Sequence, residues 1–185
     1  MSYIISTKRL GLREWKDEDI QPFTLLNADT VVMQYFPSTL SKDQTLNMIG
    51  RIKKDFAKNG FGLYAVEIKE SLEFIGFTGF SIPAFEAFFT PCIEIGWRFK
   101  KEVWGNGFAT EAAIACLQFG FKQLEFDKIV SFTAAVNNKS ENVMKRIGMQ
   151  NAGEFDHPGI DKSSSLCRHV LYEIKRAGFL REPGP

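Results

Sequence analysis

The chain is poor in cysteine and has no marked excess of either sign of charge. Its three cysteines, Cys92, Cys116 and Cys167, are odd in number and stand at no metal-ligand spacing. They fit reduced thiols, so a cytoplasmic protein without a metal is expected. A net charge of +1 excludes the broad field of a nucleic-acid or membrane-surface binder. No apolar run approaches the roughly 20 residues of a membrane span, and the N-terminus has no signal-peptide core. Internal repeats, low-complexity tracts and long linkers are also missing. What remains is 185 residues, 44% of them hydrophobic and 18 of them Phe. That is enough for one domain over 1–185 to pack a core without disulfides, with 180–185 expected as a disordered tail.

Hydrophobic patterning divides the chain into alternating elements. Residues 9–15 alternate and read as a strand, and Asp17 is a candidate cap for a short helix after it. Pro37 is expected to close a further helical segment. Ser41 opens a helix to about Lys58 with Leu46, Ile49, Ile52 and Phe56 at helical spacing, and Asn59-Gly60 stops it. Residues 62–67 and 74–81 read as a hairpin, and 83–91 as an aromatic loop. A strand over 93–99, a helix from about 108, a strand over 128–136, a second helix, and a closing hairpin of 149–156 with 164–174 complete the chain.

The densest signal is Trp104-Gly105-Asn106-Gly107-Phe108-Ala109-Thr110-Glu111, lying between the 93–99 strand and the helix after it. The first turn of a helix has backbone N–H groups without internal partners, and the helix dipole adds positive charge there. Gly105 and Gly107 clear the approach for an anion, Asn106 is a candidate cap, and Glu111 suits the dipole. Lys100-Lys101 precedes the loop and would add modestly to anion attraction. A P-loop is excluded because no Lys-Ser/Thr pair follows the second glycine. A dinucleotide fingerprint is partly matched by Gly105, Gly107 and Glu125. However, Thr110 holds its third small position, and the strand ends too early. A plain structural turn is the remaining alternative.

The loop resembles the acetyl-CoA pyrophosphate loop of the GNAT superfamily, Gln/Arg-x-x-Gly-x-Gly/Ala, with Gly107 and Ala109 at the small positions and Trp104 replacing the leading Gln/Arg. The run from Asn137 through Ser140, Val143 and Arg146 to Gly148-Met149 is similar to the family's second signature. Phe155-Asp156-His157-Pro158, Arg168-His169-Val170-Leu171-Tyr172 and the early Ser6-Thr7-Lys8-Arg9-Leu10 extend the resemblance over nearly the whole chain. They point to the Rim-type (RimJ/RimL-like) branch. The implied fold is α/β (α+β): a mixed, mostly antiparallel twisted sheet of about seven strands, flanked by helices, with a splayed central strand pair.

The resemblance implies acetyl-CoA as acyl donor and an amine acceptor, either a small molecule or a protein N-terminus. Pantetheine would pair with backbone groups of Ile95, Gly96, Trp97, Arg98 and Phe99. Its pyrophosphate would sit on Trp104, Gly105, Asn106, Gly107, Phe108, Ala109 and Thr110, with Asn137 and Ser140 near the thioester. Glu94 is the leading candidate base and His157 its rival, while Ser140 would stabilise the thiolate. Each has a structural alternative: an ion-paired carboxylate, a turn-stabilising imidazole, and a helix cap. His169 and Tyr172 read as packing or hydrogen-bonding residues, and Cys116 as a small core residue. Trp97, Trp104 and the Phe85–Phe89 group either line the acceptor pocket or belong to core and lid. No nucleic acid or membrane partner is implied, and the chain would be a monomer or homodimer. A non-catalytic acyl-CoA-binding module of the same fold is the alternative function.

Overall fold

The structure, a computed structural model, describes residues 3–180. The expected tail therefore lies, from residue 181 onward, outside the described residues. The strands are β1 (Ile5–Ser6), β2 (Leu10–Arg13), β3 (Leu63–Ile68), β4 (Phe74–Ser81), β5 (Glu94–Phe99), β6 (Lys128–Ala134), β7 (Gln150–Asp156) and β8 (Arg168–Lys175). They form one eight-stranded sheet in the order β1-β2-β3-β4-β5-β6-β8-β7. Every neighbouring pair is antiparallel except β5 and β6. A single parallel pair rules out the dinucleotide-binding sheet, whose strands run mostly parallel. The helices are α1 (Ile20–Ala28), α2 (Lys42–Asn59), α3 (Phe108–Lys122), α4 (Asn138–Arg146) and the short α5 (Arg176–Phe179).

Local sequence explains most of these boundaries. Ser41 and Gln44 form a reciprocal capping box at the start of α2, and Gly60, at φ 76°, ends it in a left-handed turn. Ile49 and Ile52 face the core, whereas Leu46 turns outward. Two expectations need correction. Asp17 does not cap a helix: residues Asp17–Asp19 form a 3-10 turn, and the Asp19 carboxylate accepts the Lys16 N–H. No helix runs up to Pro37: α1 ends at Ala28, and the Asp29 carboxylate takes the N–H groups of Val31 and Val32 and holds 29–40 in turns. The expected sheet of about seven strands is present with eight, counting β1, which is two residues long and too short to show alternation.

The sheet buries both faces. On one, α3 packs Ala112, Ala113, Cys116 and Leu117 against Ile75, Phe80, Ile95 and Ile129. Small residues on α3 let it approach the sheet closely, and Cys116 is wholly buried there. On the other face Trp15, Phe23, Ile49, Ile52, Phe74 and Phe77 form a second cluster beneath α1 and α2. At the N-terminal end of this half, Arg13 joins strand to helix from within the protein. Its guanidinium donates to Asp19 at 2.7 and 2.9 Å and to Glu67 at 2.6 Å, and Glu67 also accepts from the Tyr3 hydroxyl at 2.8 Å.

Candidate active site

The parallel pair is where the sheet opens. β5 and β6 share one register pair, Glu94 with Val130, supported by the Val130 N–H donating to the Ile93 carbonyl at 2.9 Å. Beyond it, Ile95 to Phe99 pair with β4 on one side only. At the far end of this one-sided edge, the Trp104 indole donates to the Phe99 carbonyl at 3.0 Å, and Lys139 of α4 lies 4.3 Å above the Trp104 ring. Trp104 thus fastens loop, strand and α4 together.

The glycine loop delivers the chain into α3. Gly107, at φ 78°, is the N-terminal boundary residue of α3, and no side chain caps the helix. Asn106 is therefore not the cap. Its amide instead donates to the Val103 carbonyl, and its own carbonyl accepts from Arg9 at 3.0 Å. The first-turn N–H groups of this fifteen-residue helix are left for an external acceptor, as an anion cradle requires. Arg9 also donates to Glu111 at 2.6 Å and lies over the Phe108 ring at 4.3 Å, while Thr7 donates to Glu111 at 2.5 Å. Burial alone would raise the Glu111 carboxyl; the Thr7 and Arg9 hydrogen bonds outweigh it and hold the group low. An open cleft of about 590 Å³ runs beside this point, lined by Thr7, Gly107, Thr110, Glu111, Ile114 and Arg146 among others. Lys100 and Lys101 are engaged elsewhere, with Glu73 and Asp29.

Alternation along β5 puts Glu94, Gly96 and Arg98 on the face opposite α3. The half-buried Glu94 carboxylate accepts from the Ser81 hydroxyl at 3.0 Å and, among the described residues, forms no ion pair. Burial pushes its pKa up to about 7, against the weaker opposing effect of Ser81. At Gly96 a side chain would meet nothing closer than Glu94 Oε1, at 3.9 Å, so the strand surface between Glu94 and Arg98 is bare. On the α3 side of the gap, α4 begins at Asn137. Its side chain accepts the Ser140 N–H at 3.2 Å and donates to Thr133 at 3.0 Å. Asn137, not Ser140, is the cap, and the Ser140 hydroxyl makes no hydrogen bond among the described residues.

A splayed parallel pair beside an uncapped helix N-terminus suits a ligand that is extended at one end and anionic at the other. The GNAT acetyltransferase domain model matches residues 9–150. The chain belongs to the GNAT acetyltransferase family. It is 32% identical over 152 residues to the uncharacterized N-acetyltransferase YnaD of Bacillus subtilis (strain 168), covering 82% of this chain and 85% of that protein. A GNAT-family acetyltransferase from Bacillus anthracis superposes with a TM-score of 0.78 at 25% identity, over 94% of this chain and 98% of that one. Spermidine N-acetyltransferase from Vibrio cholerae, solved with CoA and spermine, shares the fold with a TM-score of 0.75 at 19% identity, over 95% and 100% of the two chains.

In this acetyltransferase the region that bears both histidines forms an aromatic box on the same sheet face as Glu94. Phe85 and Phe89 of the 83–91 loop pack on Phe132 and Phe155, and the His157 and His169 rings lie 5.1 Å apart beside them. Phe88 of the same loop is 72% exposed, so the loop is partly core and partly surface. His157 Nδ1 accepts the Gly159 N–H at 3.1 Å, and burial lowers the pKa of both histidines. His169 bonds the Cys167 carbonyl at 3.0 Å, and Tyr172 donates to Glu141 at 2.7 Å, so both pack and hydrogen-bond as expected. Among the described residues no helix is long and apolar enough to cross a membrane.

Sequence reasoning assigned no role to Arg9, Thr7, Ser81, Asn27 or the Arg98 side chain. The Thr7-Lys8-Arg9 phrase was a usable signal, because it belongs to the early resemblance. The partners of Ser81 and Arg98 become visible only when the strand register is known.

Proposed function

We propose that this GNAT acetyltransferase transfers an acetyl group from acetyl-CoA to a primary amine by direct attack in a ternary complex. The observation that carries the reading is the junction of the one-sided β5 edge with the uncapped start of α3. Backbone groups of Ile95 to Phe99 would pair with pantetheine, in the manner of an added strand. The first turn of α3, with Trp104 to Thr110, would take the pyrophosphate. The Arg9–Glu111 contact would hold that loop in shape.

The amine must be neutral to attack the thioester carbonyl. Glu94, as carboxylate, takes its proton directly or through a water. The nitrogen–carbon bond forms, a backbone N–H of Trp97 or Arg98 stabilises the oxyanion, and the carbon–sulfur bond then breaks. Ser140 stands on the α4 side, where its unengaged hydroxyl would donate to the departing thiolate. Asn137 would support it as the cap beneath. With Ser140→Ala, turnover should fall about ten-fold while acetyl-CoA affinity is unchanged, because one charge-assisted hydrogen bond is lost from the leaving group alone. Equal turnover by the variant would remove Ser140 from the mechanism.

The Trp-Gly-Asn-Gly-Phe-Ala-Thr-Glu-Ala loop supports a place in the Rim-type branch, and the reduced cysteines support a cytoplasmic setting. The direct test is thermal unfolding with acetyl-CoA, with NAD as control. At about a hundred times Kd, a ligand that binds only the folded state adds about 2.7 kcal/mol. For a chain of this size that raises Tm by about 5–10 °C. The expected result is a rise with acetyl-CoA and none with NAD, followed by CoA release when amines are added. Binding without CoA release on any amine would make the chain an acyl-CoA-binding module instead. No rise at millimolar acetyl-CoA would overturn the reading.

A further inference from the structure

Two arginines of this chain lie deep in the protein, and their surroundings differ. Arg13 is held by two carboxylates, and all three of its nitrogens donate hydrogen bonds. Arg98 meets no carboxylate among the described residues. Its one hydrogen bond goes to the neutral Asn27 Oδ1, at 2.6 Å from Nη1. Its Nε is buried with no acceptor. Its guanidinium lies 4.2 Å from the Phe36 ring and 5.4 Å from the Phe77 ring. The acidic residue of the 29–40 turns, Asp29, is taken by Lys101 at 2.7 Å. Aromatic faces and one amide are weak compensation for a desolvated cation, and burial lowers its pKa to about 10.

Glu94 has the opposite deficit. Its partner is a neutral hydroxyl, and among the described residues no cation pairs with it. The two residues share one face of β5, with bare Gly96 between them, and their Cα atoms are separated by roughly 13 Å of extended strand. A carboxylate without a cation and a cation without a carboxylate therefore border the same patch of sheet, next to the gap where the acetyl group would arrive.

We propose that Arg98 is a specificity-determining residue that binds a carboxylate of the acceptor, so that the acceptor is an amine that also carries a carboxylate: an amino acid or short peptide, and not a polyamine. The inference rests on the acetyl-CoA reading above. The acceptor's amine would lie toward Glu94 and its carboxylate toward Arg98, anchored by the guanidinium with Asn27 holding the fork from behind. Phe36 would cover the apolar part between. A polyamine would bring a second positive charge against a guanidinium that already lacks a counter-ion.

The experiment uses the whole chain, wild type and the Arg98→Gln and Arg98→Lys variants. Acetyl-CoA binding is measured first by thermal shift, and CoA release is then followed with matched acceptors. These are α- and ω-amino acids and dipeptides, the carboxamide of each, and spermidine. Backbone groups of β5 are untouched by either substitution, so unchanged acetyl-CoA affinity certifies an intact fold. The expected result is a kcat/KM for carboxylate-bearing amines at least ten-fold above their carboxamides and above spermidine. That ratio falls to near one in Arg98→Gln, mostly through KM, and partly returns in Arg98→Lys. Carboxamides or spermidine acetylated as well as the carboxylates would overturn the inference. So would a preference that survives in Arg98→Gln, or turnover of carboxamides or spermidine with none of any carboxylate-bearing amine. These outcomes leave the acetyltransferase reading standing. Failure of the wild type to bind acetyl-CoA overturns both.

Discussion

Glu94→Gln is expected to lower kcat/KM for acetyl transfer by about 10²–10³-fold and to remove a rising limb centred near pH 7 from the pH–rate profile. The sign follows from the carboxyl. Below about 7 it is protonated and cannot accept the proton of the acceptor amine; above that value it is a carboxylate and activity rises. The cause of the shift is burial, opposed only by Ser81, so Ser81→Ala should move the limb upward rather than abolish it. The measurement is steady-state CoA release from pH 5.5 to 9 with the variants side by side. A Glu94→Gln profile that overlays the wild type would transfer the proton step to His157 or to water.

Arg13→Leu should cost about 3–5 kcal/mol of folding stability, because it leaves the Asp19 and Glu67 carboxylates buried without their shared cation. For a chain of this size the loss lowers Tm by about 10 °C or more and moves the urea midpoint to lower concentration. Removing one member of a buried ionic group is costly because the desolvation of those left behind is no longer offset. A small change would mean that water reaches the carboxylates in the variant. Arg13 is remote in sequence from the glycine loop, so residual folded protein should still bind acetyl-CoA.

Much of this architecture could be read from local chemistry. The Ser41 cap, the Gly60 stop, the 63–81 hairpin and the strand-loop-helix at 94–122 each depend on residues adjacent in sequence. Some of the misreadings come from side chains whose partners are distant. Asp19 was unreadable as a buried ion because Glu67, the other carboxylate on Arg13, comes 54 residues after that arginine. Asn106 looked like a cap, yet Arg9, 97 residues earlier, takes its carbonyl and Gly107 begins the helix. Asp29 diverted its own backbone into turns where a helical continuation was expected. At the candidate site the backbone proposed to hold the cofactor was legible as a motif. The side chains proposed to face the acceptor were not, because Arg98 meets Asn27 across 71 residues and the pairing has no sequence pattern.

The two halves of the sheet, β1 to β5 and β6-β8-β7, meet through the Glu94–Val130 pair. That junction acts as the pivot of a pair of compasses. Any spreading of the arms would be smallest at the pivot and largest at Phe99, where it would have to break the contact of Lys139 on Trp104. Under the proposed mechanism the proton acceptor is Glu94, at the pivot itself. Gap width and proton geometry would then be mechanically separated, and one carboxylate would serve donors of different girth.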